Sequence, residues 1–240
     1  MAPHLKGALI EFLPTGLIPI PRVISFQYNP ETMTHTWTQP ETAPSGANAT
    51  VTNPYAVAHF PGEAFSFTLA LDVTDPIADG TVSGALAEQT GVYSRIAALE
   101  MLLYPRSEKG GPNDLSGLLG TVTSGLASLF GGAAEPATKV PVHRLNTVLF
   151  VWGPGRIVPV RVTGLTITER LYDERLNPIH AEVQITLRVL TDEELRQDDT
   201  ETGAVTVAKV ANAYTEGLRR TLAAADQVNA AESIVGMLPL

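Results

Sequence analysis

Hydrophobic residues at every second position mark several segments of this chain as β-strands. The clearest alternation runs from Ile179 to Leu190, and a second one covers Phe65 to Val73. A period of two is typical of strands that bury one face. Shorter apolar runs bounded by Pro, Gly and Asn predict further strands over residues 8–13, 22–28, 33–38, 146–152 and 156–169.

Helical periodicity replaces this alternation at three places. Between Gly91 and Pro105, apolar residues recur at three- and four-residue spacing, which predicts one helix that ends at Pro105. The spacing of Thr191 and Glu194 is that of a capping box and predicts a short helix. A final helix is predicted over residues 205–235, and its apolar stripe needs a surface to cover. The stripe consists of Val207, Val210, Tyr214, Leu218, Leu222, Ala225 and Val228.

Two segments show neither period. Residues 39–61 are rich in Pro, Ala, Asn and Thr and are predicted to form an exposed loop. Residues 107–139 are rich in Gly, Ser and Ala and are predicted to form an inserted mobile loop, although their leucines leave open an ordered segment that binds a partner. The predicted fold class is therefore mainly β (α+β), with a β domain over residues 1–190 and a helical extension over 191–240.

Composition indicates a protein that buries surface against partners. Of the 240 residues, 44% are hydrophobic and only 17% are charged, whereas about 25% is usual for the charged share. The formal net charge is −9, from 25 acidic and 16 basic residues. Nucleic-acid grooves and anionic membrane faces need clustered positive charge, so neither is an expected partner.

The sequence also limits where the protein is expected to work. There is no cysteine, which excludes disulfides and cysteine nucleophiles. The first residues have no basic region followed by an apolar one, so no secretory signal is predicted. No run of about 18 apolar residues is present, so direct membrane insertion is not expected. We expect synthesis and retention in the cytoplasm until assembly.

The sequence predicts no catalytic, cofactor-binding or metal-binding residue. The motifs of zinc proteases, serine hydrolases, phosphate-binding loops and dinucleotide-binding folds are all absent. The histidines are scattered singly, without a second ligand at a metal-binding interval. They are His4, His35, His59, His143 and His180.

Three short motifs resemble functional sites but have simpler explanations. Asp72 and Asp75 are a carboxylate pair that could divide into acid and base, yet their position at a strand end favours turn formation. The Asn48-Ala49-Thr50 sequon has no secretory context. Gly153-Pro154-Gly155-Arg156 resembles a phosphate loop, but it joins two predicted strands and therefore favours a hairpin.

The predicted strands and the first helix carry ordered motifs that resemble a known family. The family is the tube proteins of extracellular contractile injection systems, which are phage-tail-like particles, and the resemblance covers roughly residues 8–190. The motifs are VISFQYNPET from Val23, FSFTLALDVTD from Phe65, AALEMLLYP from Ala97, VLFVWG from Val148, and PVRV from Pro159 followed by Asn177-Pro178-Ile179.

This resemblance implies a tube-like β-barrel that forms a hexameric ring between the inner tube and the central spike. Expected partners are therefore further copies of the chain, the inner tube protein, the spike protein and other baseplate subunits. Members often carry a LysM module after the barrel, and none is evident here, which leaves an adaptor or tube-initiator role. The expected contact segments are residues 39–61, the insertion 107–139 and the C-terminal helix.

Two other functions remain open from the sequence. A monomeric β-barrel that binds a small apolar ligand is the main alternative, since small barrels can hold a ligand in their mouths. A tail-associated hydrolase ranks last, because no nucleophile or carboxylate site can be assembled from these residues.

Overall fold

The computed structural model describes residues 5–13, 19–40, 57, 59–74, 87, 89–105, 144–196 and 203–235, with side chains up to Gln227 in the last range. These residues form a sheet of seven antiparallel strands and three helices. The strands are β1 (Ala8–Leu13), β2 (Ile20–Ser25), β3 (Met33–Thr38), β4 (Gly62–Asp72), β5 (Thr147–Val151), β6 (Ile157–Tyr172) and β7 (Pro178–Val189). The helices are α1 (Tyr93–Glu100), α2 (Asp192–Arg196) and α3 (Gly203–Val235).

The strand order across the sheet is β2-β1-β5-β6-β7-β4-β3. Hydrogen bonding therefore runs continuously from β2 to β3, which are neighbours in sequence but lie at the two edges. The predicted mainly β class, with a flanking helix and a C-terminal helix, is confirmed. Closure into a barrel is not shown, because the sheet that the described strands form stays open at β2 and β3.

The inner face of the sheet carries the main core, because the alternating strands turn their apolar side chains to one side. Phe65 and Phe67 of β4 contact Phe150 of β5, with ring centroids 5.3 and 5.5 Å apart. Helix α1 covers this face with Ile96 and Leu99, both fully buried. The inner face is thus filled by side chains.

The connection between β2 and β3 ties the two ends of the sheet together. The Phe26 amide donates to the Gly7 carbonyl at 2.9 Å, and the Phe26 ring lies 5.5 Å from that of Phe67. The Gln27 side chain donates to the Asp72 carbonyl at 2.8 Å and accepts from the Asp72 amide at 3.1 Å. These contacts end β2 at Ser25, whereas the sequence pattern predicted a strand through residue 28.

Helices α2 and α3 pack on the outer face around a smaller core. Ala208 and Ala211 of α3 contact Leu149 of β5 and Leu195 of α2. The predicted capping box is confirmed: the Glu194 amide donates to the Thr191 hydroxyl at 3.3 Å, and the Thr191 amide donates to the Glu194 carboxylate at 3.0 Å.

The face by which α3 meets the sheet differs from the predicted apolar stripe. Its buried residues are small, namely Ala204, Val205, Ala208, Ala211 and Thr215. Alanine lets a helix backbone approach a sheet closely, and the Thr215 hydroxyl uses that proximity to donate to the Ile157 carbonyl at 2.6 Å. The larger residues Val207, Val210, Tyr214 and Leu222 are exposed instead.

Candidate assembly interface

The described histidines each pair with a separate carboxylate. His35 lies 2.8 Å from Glu63, His59 lies 3.3 Å from Glu193, and His180 lies 3.6 Å from Asp72. Within the described ranges, no group of three or more His, Asp or Glu residues could hold a metal ion. His4 and His143 lie outside those ranges.

Asp72 acts as a turn residue, as its position predicted. Its carboxylate accepts the Thr74 amide at 2.7 Å and also accepts the Thr74 hydroxyl. The Thr74 side-chain and backbone hydrogen bonds are the main reason why the pKa of Asp72 lies below its ordinary value. Asp75 lies outside the described residues, and so does the sequon at Asn48.

The segment Gly153-Pro154-Gly155-Arg156 forms the predicted hairpin between β5 and β6. The Trp152 amide donates to the Arg156 carbonyl at 2.8 Å, and Gly153 has a positive φ of 66°. The Arg156 guanidinium lies 5.0 Å from the centroid of the Phe65 ring. This arginine therefore stacks on the core.

A buried charge cluster lies where β3 and β4 meet α3. Glu63 of β4 is 6% exposed, and its two carboxylate oxygens accept from Arg219 of α3 at 2.9 and 2.5 Å. The Arg219 guanidinium also lies 5.0 Å from the centroid of the Trp37 ring. Burial, followed by repulsion from Arg219, lowers the pKa of Arg156 below its ordinary value. The cluster is a structural link between α3 and the sheet.

A second buried carboxylate lies on the same face of the sheet, near the opposite edge. Glu11 of β1 is 1% exposed. It accepts from the Asn146 side-chain amide at 2.5 Å and lies 3.4 Å from the Arg22 guanidinium of β2. Because this carboxylate is held by β2 and by the residue that precedes β5, it too has a structural role.

Sequence reasoning did not single out either buried glutamate. Both could have been found from the alternation of side chains along their strands. Glu63 shares its alternation with Phe65 and Phe67, and Glu11 shares its alternation with Leu9, so both lie on the face that the apolar residues bury.

Apolar side chains are exposed at both edges of the sheet. On β2, Val23 is 60% exposed and Ile20 is also exposed. On β3, Trp37 is 49% exposed beside the charge cluster. Unpaired backbone groups and apolar side chains on an edge strand are the features through which sheets add another strand. The two edges are therefore candidate assembly surfaces.

Of the predicted contact segments, the structure describes mainly the C-terminal helix. The insertion 107–139 lies outside the described residues, as does most of the 39–61 loop. In the described part of that loop, Val57 and Phe60 are exposed. The candidate interface accordingly consists of the sheet edges and the exposed apolar residues of α3, which are Val207, Val210, Tyr214 and Leu222.

Comparisons with known proteins leave the family of this chain open. No protein-family model matches the sequence, and no curated protein matches it significantly. Among the described residues, no helix combines the length and apolarity that crossing a membrane requires.

Proposed function

We propose that this chain is a structural subunit of a contractile injection system and that it forms a ring joining the inner tube to the central spike. The observation that carries the proposal is the open sheet, whose edges β2 and β3 both expose apolar side chains. The ordered motifs that resemble the tube-protein family are the reason for proposing a contractile injection system in particular.

The two edges suit a ring because they are different surfaces. A contact between unlike surfaces of neighbouring copies is heterologous, and such contacts close into rings when the rotation between copies allows it. Pairing β2 of one copy with β3 of the next would supply hydrogen-bond partners to the backbone groups of both edge strands. The six-fold order of the ring comes from the family resemblance.

The proposed mechanism is mechanical. One face of the ring templates polymerisation of the tube, and the other face receives the spike. No bond is made or broken by this chain, so it is not an enzyme in this proposal. Its partners are further copies of itself, the inner tube protein, the spike protein and other baseplate subunits.

The ligand-binding alternative finds less support in the structure. The inner face of the sheet is filled by aromatic rings and by α1 rather than hollow. The groove between β2 and α1 has a volume of about 270 Å³, whereas small-molecule sites usually measure about 300–1,000 Å³. That groove is also open at the surface.

The native mass of the purified chain tests the proposal. Light scattering would be run over a range of concentrations, with the chain alone and mixed with a candidate tube protein from the same operon. We expect a closed oligomer in at least one of the two samples. A monomer in both would count against the ring and favour the ligand-binding alternative.

A further inference from the structure

The hairpin that joins β6 to β7 holds two exposed leucines in an unfavourable backbone conformation. Among the described residues, positive φ at a residue other than glycine occurs at Leu171 (55°) and Leu176 (64°). This left-handed region costs free energy because the Cβ atom of an L-residue crowds the backbone there. Leu171 is nevertheless 70% exposed and Leu176 is 80% exposed. The chain therefore presents two large apolar side chains to solvent at a cost to its own stability.

Hydrogen bonds hold this end of the hairpin, which we call the β6–β7 tip (residues 171–177), in one conformation. The Asp173 carboxylate accepts from the amides of Arg175 and Asn177, both at 2.8 Å. The Asn177 side chain donates to the same carboxylate at 2.8 Å and to the Gln89 carbonyl at 3.1 Å. Strained residues that their surroundings fix in place cluster at functional sites. A side chain that is already held in place also loses less entropy on binding, so the tip is suited to make a contact.

The same chain carries a recess of matching chemistry between β3 and α3. Its volume is about 250 Å³, and its apolar walls are Trp37, Phe60, Pro61, Val189 and Leu190. We call it the β3–α3 recess. Trp37 and Phe60 are both exposed, so the described part of the chain leaves the recess unfilled. A leucine side chain that entered it would remove apolar surface from water on both sides of the contact.

The charges around the recess do not call for a charged occupant. Its acidic residues are Glu63, Asp192 and Glu216, and each forms an ion pair with an arginine of the same chain. Because these carboxylates already have partners, the apolar walls determine which side chain the recess accepts. An apolar side chain such as leucine fits it better than an ion does.

The tip and the recess lie at opposite ends of β7. The tip directly precedes Pro178, where β7 begins, whereas Val189, where β7 ends, lines the recess. The 12 residues of β7 span about 35 Å at roughly 3.3 Å per residue. A tip and a recess that are this far apart cannot meet within one copy, so the occupant of the recess would come from a second copy.

A contact from tip to recess uses the same two sides of the molecule as the proposed pairing of edge strands. The Val92 amide donates to the Pro178 carbonyl beside the tip, and Val92 also lines the groove between α1 and edge strand β2. The recess lies at edge strand β3, through Trp37. The contact is therefore heterologous, as a ring requires.

We infer that the β6–β7 tip of one copy inserts Leu176 into the β3–α3 recess of a neighbouring copy in the ring. This inference rests on the proposed function, because it names a contact that would join ring neighbours. Burial of the leucine in the assembly offsets the free energy that its backbone conformation costs the isolated chain.

Cysteine cross-linking between two differently substituted chains tests this contact, since the natural chain has no cysteine. One full-length chain carries Leu176→Cys, and the other carries Phe60→Cys or Glu216→Cys in the recess. The matched control replaces the first chain by Leu5→Cys, because Leu5 is 72% exposed but lies outside the tip. The pairs are oxidised alone and with the tube protein, and disulfide-linked dimers are quantified.

We expect at least one recess cysteine to give about tenfold more mixed dimer with Leu176→Cys than with Leu5→Cys. If native mass shows a ring but Leu176→Cys links no better than the control, the inference is wrong and the proposed function survives. If Leu176→Cys links mainly to itself, the tips meet each other, which also overturns the inference. If no assembly forms in any sample, both proposals fail.

A substitution that removes the leucine but tolerates the backbone conformation gives an independent measurement. Asparagine adopts the left-handed region more readily than leucine, so Leu176→Asn should not lower the urea concentration at the midpoint of unfolding. We expect it to raise the concentration at which half of the chain is assembled by about tenfold, while the control Leu5→Asn leaves that concentration unchanged. Unchanged assembly of Leu176→Asn would overturn the inference. A lower urea midpoint would also overturn it, because Leu176 would then serve the fold.

Discussion

The ion pair between Glu63 and Arg219 fixes α3 to one end of the sheet. The carboxylate is almost fully buried, and it also lies 2.8 Å from His35. A buried charge is tolerated only when it is paired and hydrogen-bonded. Among the described residues, no buried side-chain polar atom lacks a hydrogen-bond partner, which fits this requirement. At the residue scale, the position of α3 therefore depends on a polar contact as well as on apolar packing.

Replacing Arg219 by methionine should destabilise the fold strongly. The substitution leaves Glu63 buried without its bidentate partner, and we expect a loss of about 3 kcal/mol in the free energy of unfolding. Arg220→Met is the matched control, because Arg220 pairs with Glu216 at the surface and such pairs contribute about 0.3–0.5 kcal/mol. Urea denaturation of both variants measures the difference. Similar losses would mean that the buried pair does not hold α3 in place.

The capping box of α2 should make stability depend on pH in the acid range. Burial alone would raise the pKa of Glu194, but hydrogen bonds from Thr191 and Arg188 outweigh it and hold the pKa below its ordinary value of 4.5. The unfolded chain therefore binds the proton more readily, so this contribution to stability is present above pH 4.5 and is lost as the pH falls through the lower, folded-state pKa. We expect Glu194→Gln to weaken the acid-side decline in unfolding free energy. A decline as steep as that of the natural chain would assign the pH dependence to other groups.

At the scale of elements, α1 is anchored to β7 through a glycine. Gly91 has a positive φ of 58°, and the neighbouring Val92 amide donates to the Pro178 carbonyl at 2.8 Å. A Cβ atom at Gly91 would lie 2.2 Å from that same carbonyl oxygen. Both the backbone conformation and the close approach require glycine at this position.

Gly91→Ala should therefore displace α1 from the core. We expect a loss of roughly 2 kcal/mol or more in unfolding free energy from backbone strain and the steric clash. Gly155→Ala is the control, because a Cβ atom at Gly155 meets nothing within 4 Å. Thermal or urea denaturation compares the two variants. A Gly91→Ala chain as stable as the control would show that α1 can shift without cost.

Most elements were predictable from the sequence because their patterns are local. The alternation in β4 and β7 and the turn residues around β3 and β5 determine strand positions without reference to distant residues. The end of β2 was not predictable, since Phe26 leaves the strand to contact Gly7 and Phe67. Such a long-range contact is not indicated by any pattern in the local sequence.

The prediction of which side of α3 is buried was wrong for a different physical reason. Hydrophobicity ranks Val210 and Tyr214 as core residues, but the side of the helix with alanines meets the sheet. Small side chains allow a close approach, and the Thr215 hydroxyl then reaches the Ile157 carbonyl. The apolar stripe itself could be predicted from the sequence, but only the structure shows that most of its large residues do not cover this sheet.

On the scale of the whole molecule, exposed apolar side chains lie at the two ends of the strand order that the described residues form. Edge strand β2 and α1 expose Val23 and Tyr93, while edge strand β3 and α3 expose Trp37 and Tyr214. A low share of charged residues, 17%, agrees with a chain that covers part of this surface by association. In the proposed ring, one repeated contact between neighbouring copies would cover the exposed side chains at both ends.

Seeding of tubes is the measurement that tests the proposed role most directly. Purified tube protein would be incubated with a small proportion of this chain, and tubes would be counted by negative-stain electron microscopy. The Val23→Lys variant, which places a charge on edge strand β2, serves as the comparison. We predict that the natural chain shortens the delay before tubes appear and occupies one tube end, and that Val23→Lys does so less effectively. Tubes that form at the same rate and number with and without the chain would contradict a tube-initiating ring.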